Sequence, residues 1–510
     1  LIYLFSLLCA SYDSPHVSLF SRFSFSRLFP HPQQDQYYRV SSWVSPASVL
    51  AWQLALAIRR SRPDNVWLAV LGLTDALLQE RLLSADYEAL AELFTTPIEG
   101  FRERRDVQRH SDDPFGDAYG TGGDGGGTLL SVPVPGSISR SSELKFHLLR
   151  HWTLYDAMAN AKHVATHLRI WTEQGTTELR AALARMRIPL AEARESYTLM
   201  KESVKASFRT HLDAFGQVLG LVDNEFPSFV RQHSSALLVS AADMVLALAA
   251  LLETKPGTLP AYLLGRAANS HAAASAGIRA AAARAAARAD GLLTEGTDGD
   301  ASLLSPPSAA AAAAAGGPAG AAPSETLDSA LRAPRQAFWM AYDALAPQTG
   351  IDTLRLGLAL AVDVQCAIVR QGVAMVKKRE IDMRALVHYA IVDSSPDLAI
   401  FSRPAALARL ASFVLDLIAL KKVSRPLVIA ILIPAADAYL VLGANGLRNA
   451  PTRRGANAFG TAFRAAAAKV RARVRHDGFD ASIVYVQRAD LKKLIHQLIF
   501  VVTASVSLQV

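Results

Sequence analysis

Apolar positions recur at helical spacing along most of the chain, and most densely between residues 142 and 200. Leu144, Leu148, Trp152, Tyr155 and Ala159 fall on one face, then Val164, Leu168 and Trp171 on another, which predicts two amphipathic helices. Gly175 is expected to close the second in a left-handed conformation. Leu179, Leu183 and Met186 carry a third helix to the break at Ile188 and Pro189. Pro189 suits the first position of a fourth, whose stripe is Tyr197, Met200, Val204, Phe208, His211 and Phe215, with Gly216 as its stop. Short links between four helices predict one packed helical unit.

Upstream, residues 36–99 show two further helical stripes, Val49, Trp52 and Leu56, then Val66, Val70, Leu73 and Leu77. Downstream, Ser240 is placed to cap a helix over residues 240–253 that turns Val245, Leu248 and Leu252 to the core. The last third alternates in period. Helix is expected over 354–372, strand-like sequence over 385–392, and a second candidate strand over 398–401 leading into a helix over 404–420. Strands over 427–433 and 438–443, a helix over 459–475, a strand over 481–486 and a helix over 489–500 complete the pattern. The fold class this predicts is α/β with a large central helical region.

Two segments break the periodicity. Residues 101–140 are charged, then rich in Gly and Pro, and too poor in apolar side chains to offset ordering entropy, so a flexible loop is expected. Glycines over 120–127 do not make a phosphate cradle, because no strand leads in and no Lys-Ser/Thr follows. From residue 267 to 332 the composition collapses to Ala, Arg, Gly, Ser and Pro, a low-complexity insertion.

Composition narrows the setting. A net charge of +8 permits a polyanionic partner without demanding one, since the excess is Arg scattered through Ala-rich sequence. Cys9 and Cys366 are the only cysteines, which excludes a disulfide framework and fits the nucleus or cytosol. No run of about 18 uninterrupted apolar residues occurs, so no membrane span is expected. Residues 1–10 are apolar with no basic lead, and residues 18–29 are a Ser/Phe/Arg run without acids; beginning at Leu1, they are read as a truncated start rather than a signal or transit peptide.

Candidate chemistry is sparse. His147/His151 and His163/His167 each share a helical face, but neither pair has the glutamate of an HExxH zinc site, which favours packing or capping roles. Ser402, Arg403 and Pro404 stand at a helix start, where Ser402 is expected to cap and Arg403 to project toward a phosphate or carboxylate. Arg448, Arg453, Arg454, Arg464, Lys469, Arg471, Arg473 and Arg475 form a basic group that is either a solvated face or a nucleic-acid contact.

The stretch HLLRHWTLYDAMANAKHVATHLRIWTEQGTTELRAALARMRIPL (147–190) resembles the central segment of the cell division control protein 45 family. Residues 65–82, 396–415 and 457–486 agree in the same order. The resemblance implies a divergent, N-terminally truncated relative of the DHH (RecJ-like) phosphoesterases. Residues 1–35 are then unassigned, 36–100 are the remnant of an incomplete DHH-like domain, 141–266 a helical interaction region, and 333–510 a C-terminal DHHA-like α/β domain. Asp75, in Gly72-Leu73-Thr74-Asp75, stands where that superfamily keeps its last metal-binding aspartate; its other motifs are absent from the residues before it, so Asp75 is expected to be vestigial, a buried carboxylate at a helix contact.

The resemblance further implies a nuclear, non-catalytic subunit of the replicative helicase, assembled with the MCM ring and the GINS complex on origin DNA, with no cofactor and no membrane. It would brace the ring, and ATP would be hydrolysed elsewhere. Trp152, Trp171, Arg403, Arg453, Arg454, Arg471 and Arg473 are the residues expected to contact partners or nucleic acid, including single-stranded DNA. The alternative is a working metal-dependent phosphoesterase or single-strand exonuclease. An organellar helical protein is a third reading, resting on the first 30 residues.

Overall fold

The structure is a computed structural model and describes residues 45–101, 136–216, 225–234, 237–253, 335–347, 349–384, 387–419, 425–445 and 457–507. Its elements in order begin with helices α1 (Ala47–Ala57), α2 (Pro63–Leu78) and α3 (Ser84–Glu92), then strand β1 (Ile138–Leu144). A helical group follows: α4 (Leu154–Ala159), α5 (Lys162–Leu168), α6 (Glu173–Arg185), α7 (Leu190–Ala193) and α8 (Glu202–Gly216). Strands β2 (Glu225–Ser234) and β3 (Leu237–Ser240) lead to α9 (Ala241–Glu253), then α10 (Arg335–Ala344) and α11 (Ile351–Lys377). The last part holds β4 (Ile381–Arg384), β5 (Val387–Val392), α12 (Leu398–Phe401), α13 (Pro404–Ala419), β6 (Leu427–Ile433) and β7 (Ala438–Ala444). It closes with α14 (Phe459–Val470), β8 (Val474–His476), β9 (Ile483–Gln487) and α15 (Leu491–Ser507).

The second sheet explains its own sequence. Its order is β4-β5-β6-β7-β9-β8, with β5 and β6 parallel and the other pairs antiparallel. Both faces are covered, so central strands read as nearly continuous apolar runs. Along β6, Leu427, Ile429, Ile431 and Ile433 face the core built by α12 and α13. Val428 and Ala430 face the opposite core, under α14 and α15.

The first sheet was not legible from the pattern. β1, β2 and β3 form an antiparallel three-stranded sheet, with Ile138 opposite Arg231 and Leu144 opposite Glu225. Residues 142–144, read as the start of a helix, therefore end a strand, and only a 3-10 turn at Leu149–His151 precedes α4. The partner of β1 lies some 80 residues downstream, so nothing local marks it.

Other expectations are corrected in the same way. Gly175 lies in the first turn of α6, where Thr172 caps the helix by accepting from the Gly175 N–H at 3.0 Å. A Cβ there would stand 2.3 Å from the Leu168 carbonyl oxygen, so close approach is what requires glycine; Arg169, at φ 52°, makes the left-handed turn. Pro189 is an N-cap residue before the four-residue helix α7, and the expected fourth helix begins only at Glu202. Leu398–Phe401 is a helical turn rather than a strand, and α14 stops at Val470, leaving Val474–His476 to the edge of the sheet.

Two long helices organise the whole. α9 is buried over nearly its full length and packs against α2, α10, α11 and the first sheet. α11, 27 residues and about 40 Å long, lies with Leu354, Leu358 and Val362 in that core and with Ala367, Ile368 and Met375 in the core of the second sheet. Among the described residues α11 alone is long and apolar enough to cross a membrane by length and composition, and half of that stretch is buried inside the fold. A separate core, from Leu144 to Leu212, holds the helical group together.

Candidate functional site

The two candidate tryptophans lie against these cores. Trp152 sits between the helical group and the core around α9, and its carbonyl accepts from the Tyr197 N–H at 3.0 Å. Trp171 is half-buried against the core of the second sheet. Lys162 on α5 bridges Glu80 and Asp416, 2.9 Å from the latter, tying the helical group to α13.

The histidine pairs enter no common metal set: among the described residues no three His, Cys, Asp or Glu side chains come together to hold an ion. His163 stacks on Phe146 with centroids 5.6 Å apart. Burial, with nearby Arg409 and His163, pushes the His147 imidazole down to about 3, so it is neutral in the fold.

His151 approaches a charge network that sequence reasoning missed. Arg150 Nη1 lies 2.7 Å from Glu143 Oε1 and 3.5 Å from Asp243 Oδ2, and His151 Nε2 lies 3.3 Å from that same oxygen. Asp243 also donates its N–H to Ser240 Oγ, the expected cap. Burial raises the Glu143 carboxyl; for Asp243 burial acts upward too, but His151 and Arg150 outweigh it and hold the group low. A cavity of about 80 Å³ lies beside them, also lined by Tyr197 and Arg209. One guanidinium thus links β1, α9 and the helical group.

The start of α13 holds the second unforeseen contact. Ser402 does not cap it: its hydroxyl donates back to the Ala399 carbonyl at 2.8 Å. The cap comes from Glu253, at the end of α9, whose carboxylate accepts from the Ala405 and Ala406 N–H groups at 2.6 and 3.0 Å. Burial pushes the Glu253 carboxyl up to about 7 against those amides and the nearby Arg403. Arg403 is half-buried and acts on this carboxylate.

Glu253 also lines the larger cavity, about 320 Å³, which opens between α1, the end of α2, α9, α13 and the loop before β9. Its walls are mainly apolar, with Leu50, Leu248, Leu252, Ala408, Phe479 and Ile483 among them. Asp75 lies here. It is not buried between helices: its side chain is 37% exposed and meets Arg81 at 3.3 Å, while Arg81 also lies over the Phe479 ring, 5.0 Å from its centroid. Asp477 and Asp480 line the same wall and accept from N–H groups of their own loop.

The basic residues gather elsewhere. Arg464 and Lys469 are exposed on α14, Arg471 makes its left-handed exit at φ 51°, and Arg473 and Arg475 are exposed on and beside the edge strand β8. Arg448, Arg453 and Arg454 lie outside the described residues.

All of these positions fall within residues 27–501, the stretch that matches the family model for CDC45. The chain belongs to the CDC45 family. A cell division control protein 45 homolog of Dictyostelium discoideum is 28% identical over 461 residues, covering 89% of this chain and 60% of the relative. The Schizosaccharomyces pombe homolog is 27% identical over 489 residues, 91% of this chain and 66% of the relative. Cell division control protein 45 of Saccharomyces cerevisiae is 26% identical over 475 residues, 91% and 63%. The chain thus spans 60–66% of the length of these CDC45 relatives. Its fold is like that of the crystal structure of CDC45 from Entamoeba histolytica, with a TM-score of 0.56 at 17% identity, over 88% of this chain and 70% of that one.

Proposed function

We propose that this chain acts in DNA replication, in the nucleus, as a non-catalytic structural subunit of the replicative helicase together with the MCM ring and the GINS complex. The observation that carries the reading is the family match over residues 27–501. In this reading residues 36–100 descend from a DHH-like domain and residues 333–510 form a DHHA-like one, with the helical group as the partner-facing part. The subunit braces the ring while the ring hydrolyses ATP. In this reading Asp75 is a vestigial position, and its carboxylate is engaged by Arg81. The exposed basic end at Arg464, Lys469, Arg471, Arg473 and Arg475 supplies a surface for chromatin or single-stranded DNA. Affinity purification of the tagged full chain at low salt should recover MCM and GINS subunits together. Recovery of neither would overturn the proposal.

A further inference from the structure

We infer that Ser395, in the turn between β5 and α12, is a phosphorylation site for a proline-directed serine/threonine kinase, and that its phosphate draws Arg370 off Asp397 and frees the turn from α11. The inference does not depend on the replication reading. Three observations lead to it.

The first is the local sequence in its setting. Residues 393–397 read Asp-Ser-Ser-Pro-Asp, and a proline directly after the serine is what this class of kinase reads. Residues 393–395 carry no regular secondary structure, and Pro396 disfavours helix at the residue before it, so the segment suits the extended shape a kinase cleft takes. Ser394 and Pro396 are exposed and Ser395 is half-buried, all inside the continuous described stretch 387–419. The other such dipeptides among the described residues differ: Thr96-Pro97 is helical, and Ser45-Pro46 leads directly into α1.

The second is what the hydroxyl holds. Ser395 Oγ donates to Gln371 Oε1 at 2.6 Å and accepts from the Asp397 N–H at 3.2 Å. The first of these bonds ties the turn to α11. A phosphate ester on Oγ has no proton to give, so modification removes it.

The third is the charge beside it. Arg370, also on α11, grips Asp397 at two points, with Nε 2.9 Å from Oδ2 and Nη2 2.6 Å from Oδ1. The arginine side chain is 58% exposed and free to turn, whereas the Asp397 side chain is 9% exposed and moves only with its backbone. A phosphoserine two residues earlier carries about −1.5 to −2 charges and three acceptor oxygens, a stronger match for a guanidinium than one carboxylate. Asp397, buried beside that dianion and without its cation, is then expelled. Its carbonyl accepts from the Ile400 and Phe401 N–H groups, so the loosening reaches α12. In the transfer itself the Ser395 oxygen attacks the γ-phosphorus of ATP, the bond to the ADP oxygen breaks, and the hydroxyl proton passes to the kinase's base.

The test incubates the folded full chain with ATP and either a cyclin-dependent or a mitogen-activated protein kinase, and locates phosphate by mass spectrometry. Phosphate on Ser395 is expected with at least one of them, and none at that position in Ser395→Ala. Amide exchange over residues 395–401 should then quicken roughly tenfold while β6 and β7 stay unchanged. Arg370→Ala, or Arg370→Gln should the first not fold, should exchange fast over the same residues before any phosphate is added and respond little to it. No phosphate on Ser395 with either kinase, phosphate there with exchange unchanged, or the same response in the Arg370 variant as in the parent would each overturn the inference.

Discussion

His147 and Glu253 show how burial sets charge at single positions, in opposite directions. The His147 imidazole titrates near 3 in the fold against an ordinary 6.5, under the influence of Arg409, His163, Asp243 and Lys162. The unfolded chain therefore binds the extra proton first, and the stability His147 supports is present above pH 6.5 and is lost as the pH falls toward 3. Glu253 titrates near 7 against an ordinary 4.5, so its carboxyl favours the fold when protonated; that contribution declines as the pH rises from 4.5 to 7 and is flat above. In urea midpoints measured from pH 4 to pH 8, His147→Gln should flatten the acid limb and Glu253→Gln the decline toward neutrality. Unchanged slopes in both variants would refute the assignment. Arg150 is a third such case. Arg150→Met leaves the buried Glu143 carboxylate without its guanidinium and Asp243 with His151 alone of its two cationic partners, and should cost about 3 kcal/mol, read by the same denaturation.

At the scale of elements, the tight crossing of α9 and α11 is a sensitive point. A Cβ at Gly357 would stand 2.9 Å from the Ala247 carbonyl oxygen and 2.9 Å from Leu251 Cδ1. Helix propensity alone favours Gly357→Ala by about 1 kcal/mol. Overpacking against a neighbouring backbone opposes it with roughly 1–3 kcal/mol, so a net loss of stability is expected. Gly478→Ala, with nothing within 4 Å, should stay within about 0.5 kcal/mol of the parent in thermal melts. A stabilised Gly357→Ala protein would show that the two helices do not meet this closely. The cap at α13 is a similar device, since Glu253 joins the end of one long helix to the start of another.

At the scale of the molecule, the seams that fasten the helical group to the rest include Trp152, Trp171, the Arg150 network and the Lys162 bridge. Trp152→Ala should therefore loosen the helical group before the second sheet, visible as faster amide exchange in α4 to α6 than in β6 and β7. Uniform acceleration throughout would contradict that division. The basic end behaves separately. If it carries nucleic acid, Arg471→Ala/Arg473→Ala should lower affinity for a single strand and reduce the slope of log K against log salt by roughly 0.7 per lost contact. An unchanged slope would assign those arginines to solvent.

By itself the sequence determined the identity of the family, the α/β class of the last third and most of its strands. The reason is that a sheet buried on both faces writes its pattern locally, as in Leu427, Val428, Ile429, Ala430 and Ile431. Long helices such as α2, α9 and α11 were legible for the same reason, because a 3.6-residue period needs no distant partner to be seen. What only the tertiary structure decided was pairing across distance: β1 with β2, Arg150 with Asp243, Glu253 with Ala405, and the cleft that brings Asp75 near Asp480. Each joins residues tens to hundreds of positions apart, and charge or hydroxyl at one site carries no mark of which remote backbone or side chain it will meet. Ser402 had every local feature of a cap, and a carboxylate some 150 residues away took the place.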